Sequence, residues 1–362
     1  MSATEVLPQV EEETTARAVP AAARVGRTRR VRGVVATVAR SLAVVLLAYT
    51  LAFVLLFVLP GDAVLARIGA ADAVGTSELS SVDVAPLREE LGLEASLLEQ
   101  YASGLAGLAR GDLGDSLVTG EPVTRLIGQA LPSTALLAGA SLVVSIVLGV
   151  LLAVAAVAPR SRVVRGVVGL VPAAWASLPV FWVGILLIYV FAIRLGWFPS
   201  SGSDGFVSLV LPATVIGLLG AAQLAQVLIS SLRTEVATTY AAVTAPAKGA
   251  SRWYTVLRHC LRNALLPFLT VLGLRVASLL GGTVVVEQVF SRNGLGRLVV
   301  DSVNSVDLTV VLGVVVLLAV VYVVVNALVD AAFPLVDPRL RRRDGAAAGR
   351  GAPATSATEE ER

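Results

Sequence analysis

The 362-residue chain is 56% apolar and only 15% charged, with a mean hydropathy of +0.81 and a formal net charge of +3. About a quarter of the residues in an average soluble domain are charged, so this composition excludes a water-soluble globule and assigns the chain to a membrane. One His and one Cys exclude a zinc or iron site built from several nitrogen or sulfur ligands, and they exclude an internal disulfide.

In chain order, Arg24, Arg27, Arg29, Arg30 and Arg32 precede the first apolar run, and residues 1–33 are expected to form a disordered, arginine-rich tail. Ser41 to Leu59 then holds 19 uncharged residues. That is longer than the roughly 7 to 15 apolar residues of a removable signal peptide, so 34–60 is predicted to be a retained first span. Residues 61–130 form an insert with eleven acidic residues against four arginines. Leu87, Leu91, Leu97 and Leu98 recur at helical spacing from Pro86 onward and predict a short amphipathic helix, with a second element over Tyr101 to Leu108. Arg110-Gly-Asp-Leu-Gly-Asp-Ser116 reads as a glycine-punctuated turn. The insert suits a platform that meets a delivery protein or a structural cap over the spans, and both readings stay open.

Uncharged runs over Leu126 to Pro159, Gly166 to Ile193, Gly205 to Leu232 and Leu308 to Val329 each exceed the roughly 20 residues that cross a bilayer core. A further run, about Ala264 to Val286, is apolar except for Arg275. The fold expected is therefore all-α and integral to the membrane: six transmembrane helices, with five of them in a core over 131–336 and a disordered tail over 337–362. Short loops rich in arginine stay cytoplasmic. The leader, Arg160 with Arg162 and Arg165, the segment from Arg233 to Arg262, and Arg339 with Arg341 to Arg343 all fall on one side. Both termini are expected in the cytoplasm, with the chain multi-pass in the inner cell membrane. The arginines flank spans and do not interleave with exposed aromatics, so the sequence pI of 9.3 reflects topology and not nucleic acid.

The polar interruption from Arg233 to Pro267 carries Lys248, His259 and Cys260, the chain's single lysine, histidine and cysteine. No Gly-x-x-x-x-Gly-Lys-Ser/Thr occurs, so no phosphate-cradling loop is present and the chain is not expected to hydrolyse ATP. A serine nucleophile would need His259 as its base, but His259 sits among arginines with no acid partner nearby in sequence. No cofactor, metal or catalytic residue is assigned. Leu228 to about Val243 reads as helix, and Glu235 is the one acid between Asp204 and Glu287, expected to pair with an arginine. Ala245, Ala247 and Gly249 add almost no side-chain bulk, which lets a partner backbone approach closely. Arg258, His259, Arg262 and Asn263 follow on a second helical stretch, and Pro267 is expected in the first turn of the fifth span. Taken singly, basic flanks anchor a span and an Ala/Gly loop turns; their combination and order within 233–263 point to a docking surface.

Thr244-Ala-Pro-Ala-Lys-Gly249, Arg258-His259 and Leu261-Arg-Asn-Ala-Leu-Leu-Pro267 resemble the cytoplasmic coupling motif of ATP-binding-cassette importer permeases of the dipeptide, oligopeptide and nickel type, the binding-protein-dependent transport inner membrane components. The likeness extends to Leu59-Pro-Gly-Asp62, Gly111-Asp-Leu-Gly-Asp-Ser116, Leu131-Pro-Ser-Thr134, Pro179-Val-Phe-Trp182, Val286-Glu-Gln-Val-Phe-Ser291, Gly294-Leu-Gly296 and Asp337-Pro-Arg339. It implies a permease subunit that forms the path for a small solute, above all di- or oligopeptides. Its implied partners are a second homologous permease, two cytoplasmic ATP-binding subunits, an extracytoplasmic solute-binding protein and membrane lipid. By the same resemblance Ala245, Ala247, Lys248 and Gly249 form a short helix in a groove of the ATPase, braced by His259, Arg262 and Asn263. Pro246, Tyr240 and Gln226 depart from the residues usual in that family, which have Arg, Asp and Arg there.

Two further residues are candidates for the translocation path. Arg275 suits an anionic solute group, but it lies eight residues from Pro267 and is expected to snorkel to the nearby interface. Glu287 suits a solute amine or marks the interface. The rival class, a stand-alone secondary transporter or channel, calls for intramembrane acid pairs or inverted repeats, and neither is visible.

Overall fold

The computed structural model describes residues 21–58, 96–238 and 249–336, and the chain divides into two units, Met1–Leu47 and Ala48–Arg362. Helix α1 covers Ala21–Phe53 and continues as a π-helical turn, Val54–Val58. It opens on three alanines, the strongest helix formers. The tail expected over 1–33 is therefore helical from Ala21 onward. The predicted helix at Pro86 to Leu93 lies outside the described residues.

In the second unit the helices are α2 (Leu97–Arg110), α3 (Val123–Val157), α4 (Arg162–Ala176), α5 (Val180–Leu187), α6 (Val207–Thr238), α7 (Arg252–Thr255), α8 (Leu261–Gly282), α9 (Val284–Val289), α10 (Leu295–Asn304) and α11 (Leu308–Val336). Among the described residues β pairing is confined to one isolated bridge, Asp115 with Pro122. Ala36–Leu56, Val123–Val157, Val207–Thr238 and Leu308–Val329 are each long and apolar enough to cross a membrane.

The run from Gly166 to Ile193 is not one straight span. Helix α4 and the α5 stretch, extended by a π-helical segment to Arg194, meet at 104°, so among the described residues the count is four candidate spans, or five if this bent pair crosses as one. Pro179 explains the break: it has no N–H to continue the ladder, and its ring disfavours the helical conformation for Leu178. The amides of Ser177 and Leu178 instead bond to Ala174 and Trp175, three residues back, and close α4 tightly.

The centre of the bundle is α3 against α6, the most extensive helix pair. Gly149 sits against Ala221 and Leu224, and such small residues let membrane helices approach closely. Ser141 and Ser145, both fully buried, turn their hydroxyls onto the carbonyls of Ala138 and Ser141, which satisfies them within their own helix. One apolar cluster joins Ala153, Val157, Leu228, Leu232, Val256, Cys260 and Phe268 at the arginine-bearing end. Another joins Val123, Ile127, Leu295, Val310 and Val314 at the opposite end.

That opposite end also carries the insert's described part. Ser96 and Glu99 form a reciprocal capping box that starts α2 at Leu97, and Gly111 closes it with φ of 80°, a left-handed conformation suited to glycine. Leu97 and Leu98 thus open this helix and stand exposed. Tyr101 packs on Tyr49 and Phe53, and its hydroxyl shares a 2.8 Å hydrogen bond with Thr50. Ser116, ending the glycine-punctuated turn, donates to buried Asp307, which also accepts from the Leu117 and Val310 amides and so caps α11.

Candidate functional site

At the arginine-bearing end the described chain resumes at Gly249, whose φ of 83° lies in the left-handed region. Ser251 then accepts a hydrogen bond from the Tyr254 amide and starts α7, which runs through a π-helical turn over Val256–Cys260 straight into α8. Thr255, Val256, Cys260 and Ala264 are buried against the cluster below, and burial together with the negative charge of Glu235 pushes the Cys260 thiol up from its ordinary pKa. Trp253, Tyr254, Leu257, Arg258, Arg262 and Asn263 face outward. The π turn inserts a residue into the helical repeat, a feature frequent at functional sites.

Arg252 anchors this surface to the end of α3, and Arg165 of α4 closes the turn beside it. The Arg252 guanidinium donates to the Val157 carbonyl at 3.1 Å, and Arg165 donates to the carbonyls of Pro159 and Arg160 at 2.7 and 2.9 Å. The Val157 carbonyl is among those a helix C-terminus leaves without an intrahelical partner, whereas Pro159 and Arg160 lie in the turn that follows α3. Desolvation, then the positive charge of Arg165, lowers the pKa of Arg252.

Among the predicted site residues, Glu235 and Asn263 come together: the Asn263 side-chain amide donates to the Glu235 carboxylate at 3.3 Å and ties the end of α6 to the start of α8. Asn263 thus joins Glu235 from the neighbouring helix. His259 is half-buried, edge-on to the Tyr254 ring at 5.7 Å between centroids. Arg262 is exposed. Pro267 is exposed and lies inside α8, not in a first turn, because the helix already runs unbroken from Arg252 through the π turn. Ala245, Ala247 and Lys248, like Tyr240 and Pro246, lie outside the described residues.

The two path candidates behave differently from expectation. Glu287 is 0% exposed within this chain. Its carboxylate accepts from the Thr134 hydroxyl at 2.7 Å and from the Gly296 and Arg297 amides at 2.8 and 3.4 Å, while the Leu295 amide donates to Thr134 at 2.8 Å. Those amides are the first turn of α10, so Glu287 supplies the negative charge that a helix N-terminus favours. Gly294 leaves the room, since a Cβ there would run into the carboxylate, while a Cβ at Gly296 would meet the Val284 backbone first.

Arg275 does not snorkel. Its Nη2 donates to the Ile216 carbonyl on α6 at 3.3 Å, and its Nε is buried with no hydrogen-bond partner. Sequence reasoning missed Arg292, which is 1% exposed and donates to the Gly202 and Ser208 carbonyls and to the hydroxyls of Ser208 and Ser133. Desolvation lowers its pKa and the nearby Glu287 raises it. Its one signal was position, between the Val286–Ser291 and Gly294–Gly296 motifs.

Residues 145–342 match the family described as "Binding-protein-dependent transport system inner membrane component". The chain belongs to that family. It is 36% identical over 297 residues to a probable peptide ABC transporter permease protein of Sinorhizobium fredii, covering 80% of this chain and 92% of that one. It is 36% identical over 313 residues to a putative peptide transport system permease protein of Brucella abortus, covering 84% and 97%. The glutathione transport system permease protein GsiC of Salmonella choleraesuis is 33% identical over 296 residues, covering 82% and 94%. Among solved structures, a chain of the MetNI methionine ABC transporter aligns with a TM-score of 0.50 at 19% identity, covering 59% of this chain and 96% of that one, a likeness of fold. The chain is thus an ABC importer permease subunit, a multi-pass membrane protein.

Proposed function

We propose that this permease passes short peptides across the inner membrane, driven by ATP hydrolysis on two separate cytoplasmic subunits and supplied by an extracytoplasmic binding protein. The observation that carries the substrate class is the set of relatives named for peptide and glutathione transport, aligned over four fifths of the chain. We place six spans in the membrane, counting the bent α4–α5 pair as the third and the 22-residue α8 as the fifth, with both termini cytoplasmic. A second homologous permease completes the path.

In this reading the ATPase grips the segment over 233–263. Ala245, Ala247, Lys248 and Gly249 enter its groove, and His259, Arg262 and Asn263 back them, with Pro267 in the helix behind. The mechanical sense comes from Glu235 and Asn263: a load on the loop pulls α6 and α8 together because their ends are bonded to one another. ATP-driven closure then biases a two-state bundle from a distance. The test is peptide uptake and ATPase activity in cells and membranes carrying Lys248→Glu. Expected is loss of uptake with the chain still in the membrane and the binding protein still loaded; wild-type uptake would overturn the coupling assignment.

A further inference from the structure

We infer that Arg275 and the polar face of α6 form a carboxylate-binding station on the solute path, an inference that rests on the peptide-permease reading above. The exposed faces of two other span helices are apolar, as contact with lipid requires: Leu136, Val143, Val147 and Leu151 on α3, and Val320, Val324 and Leu328 on α11. Helix α6 differs. Its central exposed positions are Gln223, Gln226 and Ser230, spaced three and four residues apart on one face inside an otherwise uncharged run. Amides facing hydrocarbon would leave donors and acceptors unmade, and polar residues in spans face a bundle interior or water. The stripe therefore borders water.

Arg275 reaches the same helix face from α8. Ile216, Gly220 and Gln223 follow one another at helical spacing, and the guanidinium bonds the first of them and lies beside the second. A Cβ at residue 220 would come within 3.0 Å of Arg275 Nε and closer still to the Ser145 hydroxyl, so Gly220 makes the room the guanidinium occupies. The group offers five N–H donors. Among the described residues it bonds Ile216, and Nε has no partner. Among the described residues the ion pair is Arg297 with Asp301, so no carboxylate of this chain answers Arg275 there. A guanidinium held this way takes a carboxylate in a forked, charge-assisted pair. Gln223 and Gln226, which both donate and accept, match the amide groups of a peptide that ends in that carboxylate.

Uptake of radiolabelled tri-alanine and of its C-terminal amide, in cells of the native strain, tests this. Arg275→Gln is expected to lower uptake of the free acid by about tenfold or more, the equivalent of one charge-assisted hydrogen bond, with uptake of the amide changed less than about twofold. Equal loss for both peptides, or no loss for either, overturns the station. Independently, Gln226→Cys in a Cys260→Ser background should react with a water-soluble thiol reagent, with the parent Cys260→Ser chain unlabelled; no reaction overturns the water-lined stripe. If deleting the gene leaves uptake of both peptides unchanged, the peptide-permease reading falls and takes this inference with it. If deletion abolishes uptake while Arg275→Gln treats acid and amide alike, the station alone falls.

Discussion

The two ends of the bundle solve opposite problems with the same residue types. At one end Glu287, Thr134, Arg292, Gly294 and Gly296 form a buried knot in which the carboxylate has three donors and α10 has its N-terminal charge. At the other, Trp253, Tyr254, Arg258, Arg262 and Asn263 point outward, and the recorded bonds of this stretch run mainly to helix ends. A polar group turned inward must be satisfied by its own chain, because an unmade buried bond costs about 1 to 3 kcal/mol. A polar group turned outward is free to bond something else. Both ends carry motifs of the family, so motif membership alone does not separate holding from docking.

The largest way to break this contrast is Glu287→Ala. It strips an acceptor from Thr134, Gly296 and Arg297 and removes the charge facing Arg292, at a cost of about 3 to 5 kcal/mol. Thermal unfolding of the purified permease in detergent should shift markedly downward, with less chain in the membrane. A wild-type melting curve would mean that the knot holds nothing. Next in size is Gly249→Val, which forces a branched side chain to φ of 83° at roughly 1 to 2 kcal/mol. Because Gly249 is exposed at the end proposed to dock, the expected signature is reduced uptake at unchanged membrane level, and Gly249→Asn, which tolerates that region better, should restore part of it.

Much of this was legible in the sequence for a physical reason: a bilayer demands long uncharged runs, so Val123–Val157, Val207–Thr238 and Leu308–Val329 lie close to where the runs of apolar residues placed them. Hydropathy carries no direction, however. The 104° bend inside Gly166 to Ile193 was invisible to it, although Pro179 stood at the break. The segment proposed to dock stood out by composition, while the bond between its Glu235 and Asn263 did not, since 28 residues separate them. The bond of Glu287 to Thr134 was not legible either, because 153 residues separate them. The direction of Arg275 was hidden for a related reason: spacing from Pro267 does not give the side of the helix, and Gly220 on α6 is what makes room for the side chain.

The bond between Glu235 and Asn263 gives a smaller and sharper test. In a double-mutant cycle of Glu235→Ala and Asn263→Ala, the coupling in stability should be about 0.5 to 1.5 kcal/mol. If the pair transmits load between α6 and α8, each single change should also lower uptake more than it lowers ATPase activity. Loss of both activities in proportion would reduce the pair to a structural clasp.

The smallest effect is expected at Arg297 and Asp301, the i,i+4 pair on α10, 3.4 Å apart with side chains 39% and 62% exposed. Water and salt screen such a pair, and its long side chains lose freedom to make it, so Asp301→Ala should cost under about 0.5 kcal/mol. Arg297 keeps its bonds to the Ser291 carbonyl and the Asn293 side chain in any case. The pair lies on the same short helix whose N-terminus Glu287 caps, so the two carboxylates compare burial with everything else held close. A large loss for Asp301→Ala would mean that α10 is held from its solvent face, and that the buried knot is not what anchors this end of the bundle.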